Sequence, residues 1–312
     1  MSGIVAGLWR PRGILARGEA VVAESLSKRY PNGVWGAREV SFRASYGRVT
    51  VVLGPNGAGK TTTVKMLATL LRPTGGRGLV AGFDVVREAW EVRRRIALVP
   101  QEASIDPNLT PMEAVKWYLV ARGWSVSDAY ARAREVLEEL GLWDVRDRPG
   151  WHLSGGQKRK VVTAMALATG AEVVFLDEPS TGLDVESKYS VWGIVRRYAS
   201  SGSAVLLTTH DMREAEALAD HLVLISEGRV AAEGPPQELR SSIPYRYRVV
   251  LRRPRRVEWS GPRLEIGDML VLYARDRGEA SEIASRVDAE SVTIEEVGLE
   301  DVYLYHTRGG AR

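Results

Sequence analysis

Two stretches of the chain combine glycines with residues that can bind a phosphate. The first, residues 54–61, reads Gly-Pro-Asn-Gly-Ala-Gly-Lys-Thr. Its glycines let backbone N–H groups close on phosphate oxygens, Lys60 adds an ammonium group, and Thr61 offers a hydroxyl to Mg²⁺. The second, residues 153–157, reads Leu-Ser-Gly-Gly-Gln. Ser154 is expected to cap a helix whose free N–H groups and positive dipole end favour an anion, so the sequence predicts two phosphate cradles.

Two adjacent carboxylates follow an apolar run. Residues 173–176 are apolar and of strand length, and Asp177 and Glu178 come directly after them. Ligands of open α/β sheets bind at the carboxyl ends of the strands. Asp177 is therefore suited to the surroundings of Mg²⁺, and Glu178 to the polarisation of an attacking water. His210 follows another apolar strand, residues 204–208, and can donate a hydrogen bond to a terminal phosphate.

The apolar pattern also predicts the elements that must position these residues. A strand over 49–53, the glycine loop and a helix over 61–71 give the order that a phosphate-binding loop requires. Alternation of strands and helices then indicates an α/β fold with a mostly parallel sheet and helices on its faces. The other predicted strands are 21–25, 40–44, 96–99, 173–176, 204–208 and 222–225, and the other helices are 111–122, 128–140, 157–169 and 187–199.

Changes in composition predict three parts. Residues 1–19 are interpreted as an N-terminal extension, and residues 20–240 as the nucleotide-binding domain, with a β-rich entry region and a helical insertion at about 102–155. Residues 245–312 are predicted to form a small α+β accessory domain, with strands at 246–251, 269–273 and 291–295 and helices at 278–287 and 299–305. The arginine run at 252–256 suits either an anionic membrane surface or a solvated edge balanced by nearby acids.

Composition narrows the class of protein. The 312 residues include 43 basic and 39 acidic side chains, which is a mild and mixed balance for a nucleic-acid binder. There is no cysteine, so disulfides, thiolate zinc sites and cysteine nucleophiles are excluded. The longest apolar runs have strand length, so we expect the chain not to cross a membrane by itself.

These motifs resemble, in kind and in order, the ATP-binding subunit of an ATP-binding-cassette (ABC) transporter, and the resemblance spans roughly residues 21–239. Residues 54–61 resemble the family's Walker A loop, Asp177 its Walker B aspartate and Glu178 its catalytic glutamate. Gln101 resembles the Q-loop glutamine, residues 180–184 the D-loop, and His210 the switch histidine. Residues 153–157 resemble the family signature, and we call them the signature turn; residues 54–61 are the phosphate loop.

The resemblance implies ATP and Mg²⁺ as cofactors and assigns roles to residues. The implied catalytic residues are Lys60, Gln101, Glu178 and His210, and the implied metal-binding residues are Thr61, Gln101 and Asp177. The implied nucleotide-binding residues are Tyr30, Gly54, Pro55, Asn56, Gly57, Ala58, Gly59, Lys60, Thr61, Thr62, Ser154, Gly155, Gly156, Gln157 and Asp184. Tyr30 is similar in position to the aromatic residue that stacks on adenine. Trp35 is the alternative, because it lies close to Tyr30 in the sequence.

The resemblance also implies partners. Two copies of such a subunit meet head to tail, so the signature turn of one would close on ATP held by the phosphate loop of the other. The opening and closing of the two copies would be transmitted to a separate integral-membrane permease, so the resemblance implies a position at the cytoplasmic face of the membrane. The helical insertion and the segment around Gln101 are the expected docking surface.

Three segments, residues 105–110, 214–220 and 298–303, resemble the drug, lipid and polysaccharide exporter branch, including daunorubicin-resistance-type ATPases. Gln157 departs from that branch, in which many members have Met. Three alternatives remain open at this point: an importer ATPase, a soluble ABC ATPase that acts on ribosomes or DNA, and a non-catalytic subunit. The single cassette disfavours the ribosome- or DNA-directed ATPase, and the presence of Lys60, Asp177, Glu178 and His210 disfavours a non-catalytic subunit. The short α/β tail that ends in residues 298–303 resembles exporters rather than sugar importers, which tend to carry a β-barrel domain there.

Overall fold

The computed structural model describes residues 18–257 and 259–308. Residue contacts divide the chain into two units, one that ends at Val230 and one that begins at Ala231. This division lies upstream of the predicted boundary between residues 240 and 245. Of the N-terminal extension expected at residues 1–19, residues 1–17 lie outside the described part of the chain.

The first unit alternates strands and helices along most of its length. In chain order it contains β1 (Glu19–Arg29), β2 (Trp35–Ser45), β3 (Val49–Leu53), α1 (Lys60–Leu67), β4 (Gly75–Val80), β5 (Phe83–Asp84), α2 (Ala89–Arg95), β6 (Ile96–Val99), α3 (Pro111–Ala121), α4 (Val126–Glu139), α5 (Gly155–Ala168), β7 (Val173–Asp177), α6 (Val185–Ser200), β8 (Ala204–Thr209), α7 (Met212–Leu218) and β9 (His221–Ser226). A further strand, β10 (Arg229–Gly234), spans the division.

The central sheet has the strand order β10-β9-β3-β8-β7-β6. Neighbouring strands from β9 to β6 are all parallel, so their carboxyl ends lie at one edge. The chain continues from β3 to Gly54, from β6 to Gln101, from β7 to Glu178 and from β8 to His210. The prediction of an α/β fold is therefore confirmed, and its parallel sheet gathers these four residues at a common edge.

A smaller antiparallel sheet, of order β2-β1-β4-β5, forms the entry region. Strand β4 is absent from the predicted strands. Three glycines conceal β4 in the sequence, and its pairing with β1 from Val21↔Val80 to Ser27↔Gly75 organises it. Tertiary pairing thus outweighs the poor strand propensity of glycine.

Helix α1 packs between the two sheets. Val64 and Leu67 lie in one core cluster with Leu26 and Phe42 of the entry sheet and Phe175 of the central sheet. The helix ends at Leu67 rather than at the predicted residue 71. The chain leaves it there because Thr69 has a left-handed φ of 63° and the next two N–H groups both donate to the Lys65 carbonyl.

Helices α3, α4 and α5 pack together as the helical part of the first unit. Helix α3 starts with Pro111 and a reciprocal capping box between Thr110 and Glu113, and Ser125 caps α4. These caps satisfy N–H groups that have no partner within the helix. Helix α5 also contacts β6, so the helical part is joined to the central sheet through α5.

The second unit contains α8 (Pro236–Ser241), β11 (Tyr247–Arg256), β12 (Arg263–Ile266), β13 (Met269–Ala274), α9 (Arg277–Arg286), β14 (Asp288–Glu296) and α10 (Leu299–Arg308). Its antiparallel sheet has the order β12-β13-β11-β14. Within the arginine run, Arg253 pairs with Glu290 at 3.0 Å and Asp268 at 3.6 Å, which favours a solvated charged edge. Among the described residues, no helix has the length and apolarity needed to cross a bilayer.

Candidate active site

The phosphate loop lies where backbone segments approach closely. A Cβ atom on Gly54 would lie 2.3 Å from the Ile225 carbonyl oxygen, and one on Gly59 would lie 2.4 Å from the Gly36 carbonyl oxygen. Gly59 also has a φ of 105°, which residues other than glycine rarely adopt. No side chain caps α1, so the N–H groups of its first turn have no side-chain acceptor and can receive an anion.

Lys60 is folded back onto the loop that precedes it. Its ammonium donates to the Gly54 carbonyl at 2.8 Å and the Pro55 carbonyl at 3.0 Å, and it lies 3.5 Å from Glu178 Oε1. The residue is only 4% exposed. Burial lowers its pKa below the ordinary value of lysine, while the charges of Glu178 and Asp177 act in the opposite direction.

Asp177 is held by two hydroxyl groups. Its Oδ1 atom accepts hydrogen bonds from Thr61 Oγ1 at 3.1 Å and from Thr208 Oγ1 at 2.5 Å. Because Thr61 lies in the first turn of α1 and Thr208 lies in β8, the carboxylate joins the phosphate loop to the neighbouring strand. A carboxylate and a hydroxyl at hydrogen-bond distance are oxygen donors of the kind that Mg²⁺ prefers.

Glu178 is the meeting point of the candidate catalytic groups. Its carboxylate accepts hydrogen bonds from Gln101 Nε2 at 3.4 Å and Thr181 Oγ1 at 3.2 Å, and lies 3.3 Å from His210 Nδ1. Burial alone would raise its pKa, but the hydrogen bond with His210 and the charge of Lys60 outweigh burial and leave the pKa below its ordinary value. The carboxylate is therefore ionised at neutral pH.

An open cleft of about 340 Å³ lies over the phosphate loop. It is lined by Tyr30, Val34, Trp35, Gly36, Asn56, Gly57, Gly59, Lys60, Thr61, Thr62, Gln101 and Glu178. Both aromatic candidates line it. Tyr30 is tied to the loop through its hydroxyl, 3.2 Å from Thr62 Oγ1, whereas Trp35 stacks with Arg29 and Arg38. The cleft combines a flat aromatic wall, against which a base can stack, with a cation that can bind phosphate.

The signature turn is arranged differently. Ser154 caps α5 in a reciprocal capping box, in which Gln157 N donates to Ser154 Oγ at 3.2 Å and Ser154 N donates to Gln157 Oε1 at 3.0 Å. Ser154 and Gly155 are exposed. Residues 154–157 and Asp184, which caps α6, are not among the residues that line the cleft. Of the predicted site residues, the structure brings together those of the phosphate loop with Gln101, Asp177, Glu178 and His210.

Sequence reasoning missed two groups near this site. Arg159 of α5 donates to the main-chain oxygens of Asp177, Glu178 and Pro179, although three successive basic residues, 158–160, give no sign that the middle one is buried. Trp192 lies partly buried on α6. Its indole N–H lies 3.0 Å from the buried carboxylate of Glu214, which also accepts a hydrogen bond from Ser180 in the D-loop-like segment.

Comparison with known proteins agrees with this geometry. Residues 37–181 match the family model described as ABC transporter. The daunorubicin/doxorubicin resistance ATP-binding protein DrrA of Streptomyces peucetius is 44% identical over 72% of this chain and 68% of its own length. The daunorubicin resistance ATP-binding protein DrrA3 of Streptomyces coeruleorubidus is 38% identical over 92% of this chain and 96% of its own length.

Solved structures give the same result. The ATP-binding subunit of an ABC transporter superposes with a TM-score of 0.66 at 27% identity, over 72% of this chain and 92% of that chain. The dimeric cassette MJ0796, in a post-hydrolysis state bound to ADP and phosphate, superposes with a TM-score of 0.63 at 25% identity, over 69% of this chain and 98% of its own. The chain therefore belongs to the ABC transporter family, as an ATP-binding subunit with ATPase activity.

Proposed function

We propose that the chain hydrolyses ATP with Mg²⁺ in a site completed by a second copy, and that it drives a separate membrane permease in the export of drugs, lipids or polysaccharide. The observation that supports this most directly is the meeting of Lys60, Gln101 and His210 at the Glu178 carboxylate. Lys60, Gln101 and Glu178 line the cleft over the phosphate loop, where the terminal phosphate of ATP would be held.

The chemistry follows from the groups around Glu178. Its ionised carboxylate accepts a proton from the attacking water, and its contacts with Gln101 and His210 keep it oriented. His210, whose side chain is 46% exposed, donates to the terminal phosphate. Lys60 exchanges the carbonyls of Gly54 and Pro55 for phosphate oxygens, which carry more negative charge than carbonyls and bind the ammonium more strongly.

The residues present suit Mg²⁺. This ion keeps several waters and binds through one or two protein oxygens together with substrate phosphates. Thr61 Oγ1, Asp177 and Gln101 would hold it, directly or through water, and the ion would neutralise charge that develops on the phosphates.

The signature turn supports a shared site. It offers helix N–H groups to an anion, yet its Ser154 and Gly155 are exposed and it lies outside the cleft over the phosphate loop. A second copy related by two-fold symmetry would bring each signature turn to the other chain's phosphate loop. ATP would then be buried between the chains, so binding closes the dimer and hydrolysis opens it.

The permease and the exported cargo are proposed from the relatives. Two of these are named for daunorubicin resistance, which favours the exporter over the importer, the ribosome- or DNA-directed ATPase and the non-catalytic subunit. The chain would act as a peripheral subunit at the cytoplasmic face of the membrane. The helical part, with exposed Trp117 on α3, is the proposed docking surface for the permease.

The shared site can be tested with a variant that binds ATP without hydrolysing it. Glu178→Gln is expected to form a dimer in the presence of ATP, as measured by analytical ultracentrifugation. Addition of Gly156→Asp should keep the protein monomeric while ATP still binds, because the new carboxylate repels the partner's ATP. A Cβ at position 156 meets only Leu183 Cδ2 at 3.4 Å and Ser154 Oγ at 3.9 Å, so the chain itself tolerates the change.

Gly193→Asp is the matched control for Gly156→Asp. It also places a carboxylate on a helix where a Cβ has room, but on α6. In the Glu178→Gln background it should leave the ATP-dependent dimer intact. A Glu178→Gln protein that stays monomeric with ATP, or a Gly156→Asp variant that still dimerises, would contradict the shared site.

A further inference from the structure

Arg159 lies in the second turn of α5 and is only 7% exposed. A guanidinium has five N–H donors. Here each of them donates to a main-chain carbonyl, and the five acceptors come from two chain segments, residues 100–101 and residues 177–179. The acceptors are Pro100 at 2.9 Å, Gln101 at 2.8 Å, Asp177 at 2.7 Å, Glu178 at 2.9 Å and Pro179 at 3.4 Å.

These carbonyls belong to the backbone that bears the candidate catalytic side chains. Gln101 and Glu178 contact one another through their side chains and contact Arg159 through their main chains. Because all five donors are used on main-chain oxygens, a displacement of either loop costs hydrogen bonds to a buried charge, which are strong. The backbone geometry at Gln101 and Glu178 is therefore tied to the position of α5.

The same helix begins with the signature turn. Ser154 is the N-cap of α5, and Arg159 follows it by little more than one helical turn. A short helical segment is rigid, so a shift at Arg159 is transmitted to Ser154, Gly155 and Gly156. One guanidinium thus connects the ATP site of its own chain with the cradle that would serve the second copy.

We propose that Arg159 is a positioning residue that couples the two ATP sites of the dimer through helix α5. The proposal rests on the head-to-tail dimer proposed above. When ATP in the cleft moves Gln101 or Glu178, Arg159 moves the signature turn and so changes the affinity of the second site. Lysine cannot replace it, because three donors on one nitrogen do not match five carbonyls arranged around a planar fork.

The test is Arg159→Lys, with ATP hydrolysis measured as a function of ATP concentration. The parent should hydrolyse ATP cooperatively. The variant should bind ATP in its own cleft with parental affinity, lose about 10- to 100-fold in kcat because Gln101 and Glu178 are no longer held in place, and show a Hill coefficient of about 1 because the coupling is lost.

Arg132→Lys is the matched control. Arg132 is an equally buried guanidinium on α4, 6% exposed, and it donates to the Ala168 carbonyl and to Glu135, away from the cleft. The Arg132→Lys variant should lower the melting temperature about as much as Arg159→Lys does, and it should leave the Hill coefficient unchanged. A parent without cooperativity, an Arg159→Lys variant with parental kcat and Hill coefficient, or equal losses in both variants would each overturn the coupling.

A second measurement does not depend on the folding of Arg159→Lys. In the monomeric Glu178→Gln/Gly156→Asp protein, addition of ATP should change hydrogen–deuterium exchange in the first turn of α5, although that turn lies outside the cleft. Unchanged exchange there would overturn the link through Arg159. Failure of the dimer itself appears separately, as a Glu178→Gln protein that remains monomeric with ATP.

Discussion

The phosphate loop and the signature turn both place glycines at the start of a helix, but for different physical reasons. In the phosphate loop, Gly54 and Gly59 leave no room for a Cβ, since backbone carbonyl oxygens lie 2.3 and 2.4 Å from its position. In the signature turn, nothing lies within 4 Å of a Cβ built on Gly155, and neither Gly155 nor Gly156 has a positive φ. The fold requires glycine in the first region and not in the second.

The two regions also differ in how their polar groups are satisfied. Lys60 of the phosphate loop is buried and bonded to carbonyls that a phosphate can replace. Ser154 and Gly155 of the signature turn are exposed, and the capping box pairs Ser154 with Gln157. Under the proposed function, the first region supplies most of a catalytic site, and the glycines of the second allow the close approach of ATP held by the partner.

The largest effect that would test this difference between the two regions is the loss of Glu178, the proposed general base. Glu178→Gln should lower kcat by about 10²- to 10⁴-fold, the usual contribution of a general base. The affinity for ATP should remain at the parental value, because the glutamine amide has the same shape as the glutamate carboxylate and Lys60 remains in place. Steady-state phosphate release measures the first quantity, and binding of a fluorescent ATP analogue measures the second.

Glu214→Gln is the matched control for that variant. Glu214 is also buried, 2% exposed, and its carboxylate accepts hydrogen bonds from Ser180 and Trp192 rather than from the groups at the cleft. Its change should affect turnover far less than Glu178→Gln. Parental turnover in Glu178→Gln would show that the catalytic base is another group.

The second effect concerns a glycine of the phosphate loop. Gly59→Ala should destabilise the fold by about 1–3 kcal/mol, the range for a residue forced into a disfavoured backbone region, and should weaken ATP binding because the loop must move away from the Gly36 carbonyl. Chemical denaturation and ATP titration check both. A variant with parental stability and affinity would remove the distinction between the two regions.

The amino-acid pattern predicts much of this site because the site depends on strand ends. Apolar runs that end at Leu53, Val99 and Leu176 define three strands of the parallel sheet, and the residues that follow them meet at one edge. What the pattern does not contain is the direction in which a side chain points. Lys158, Arg159 and Lys160 are alike in sequence, and only the packing of α5 against β6 makes Arg159 the buried one.

Segments that depend on tertiary pairing also escape prediction. Strand β4 is rich in glycine and exists because β1 pairs with it. The contact of Trp192 with Glu214 joins α6 to α7, and the carboxylate is 22 residues away along the chain. Neither feature has a local signal, because both depend on which segments the fold brings together.

The smallest effect separates the two kinds of glycine most clearly. Gly155→Ala should leave the fold unchanged or stabilise it by up to about 1 kcal/mol, because alanine restricts the unfolded chain and a Cβ meets nothing in the native state. The same change should reduce ATPase turnover, since in the dimer the added methyl group faces the ATP held by the partner's phosphate loop. Denaturation and phosphate release on one protein preparation give both quantities. Loss of stability would mean that the fold itself needs Gly155, whereas parental stability with parental turnover would mean that no ligand approaches the signature turn.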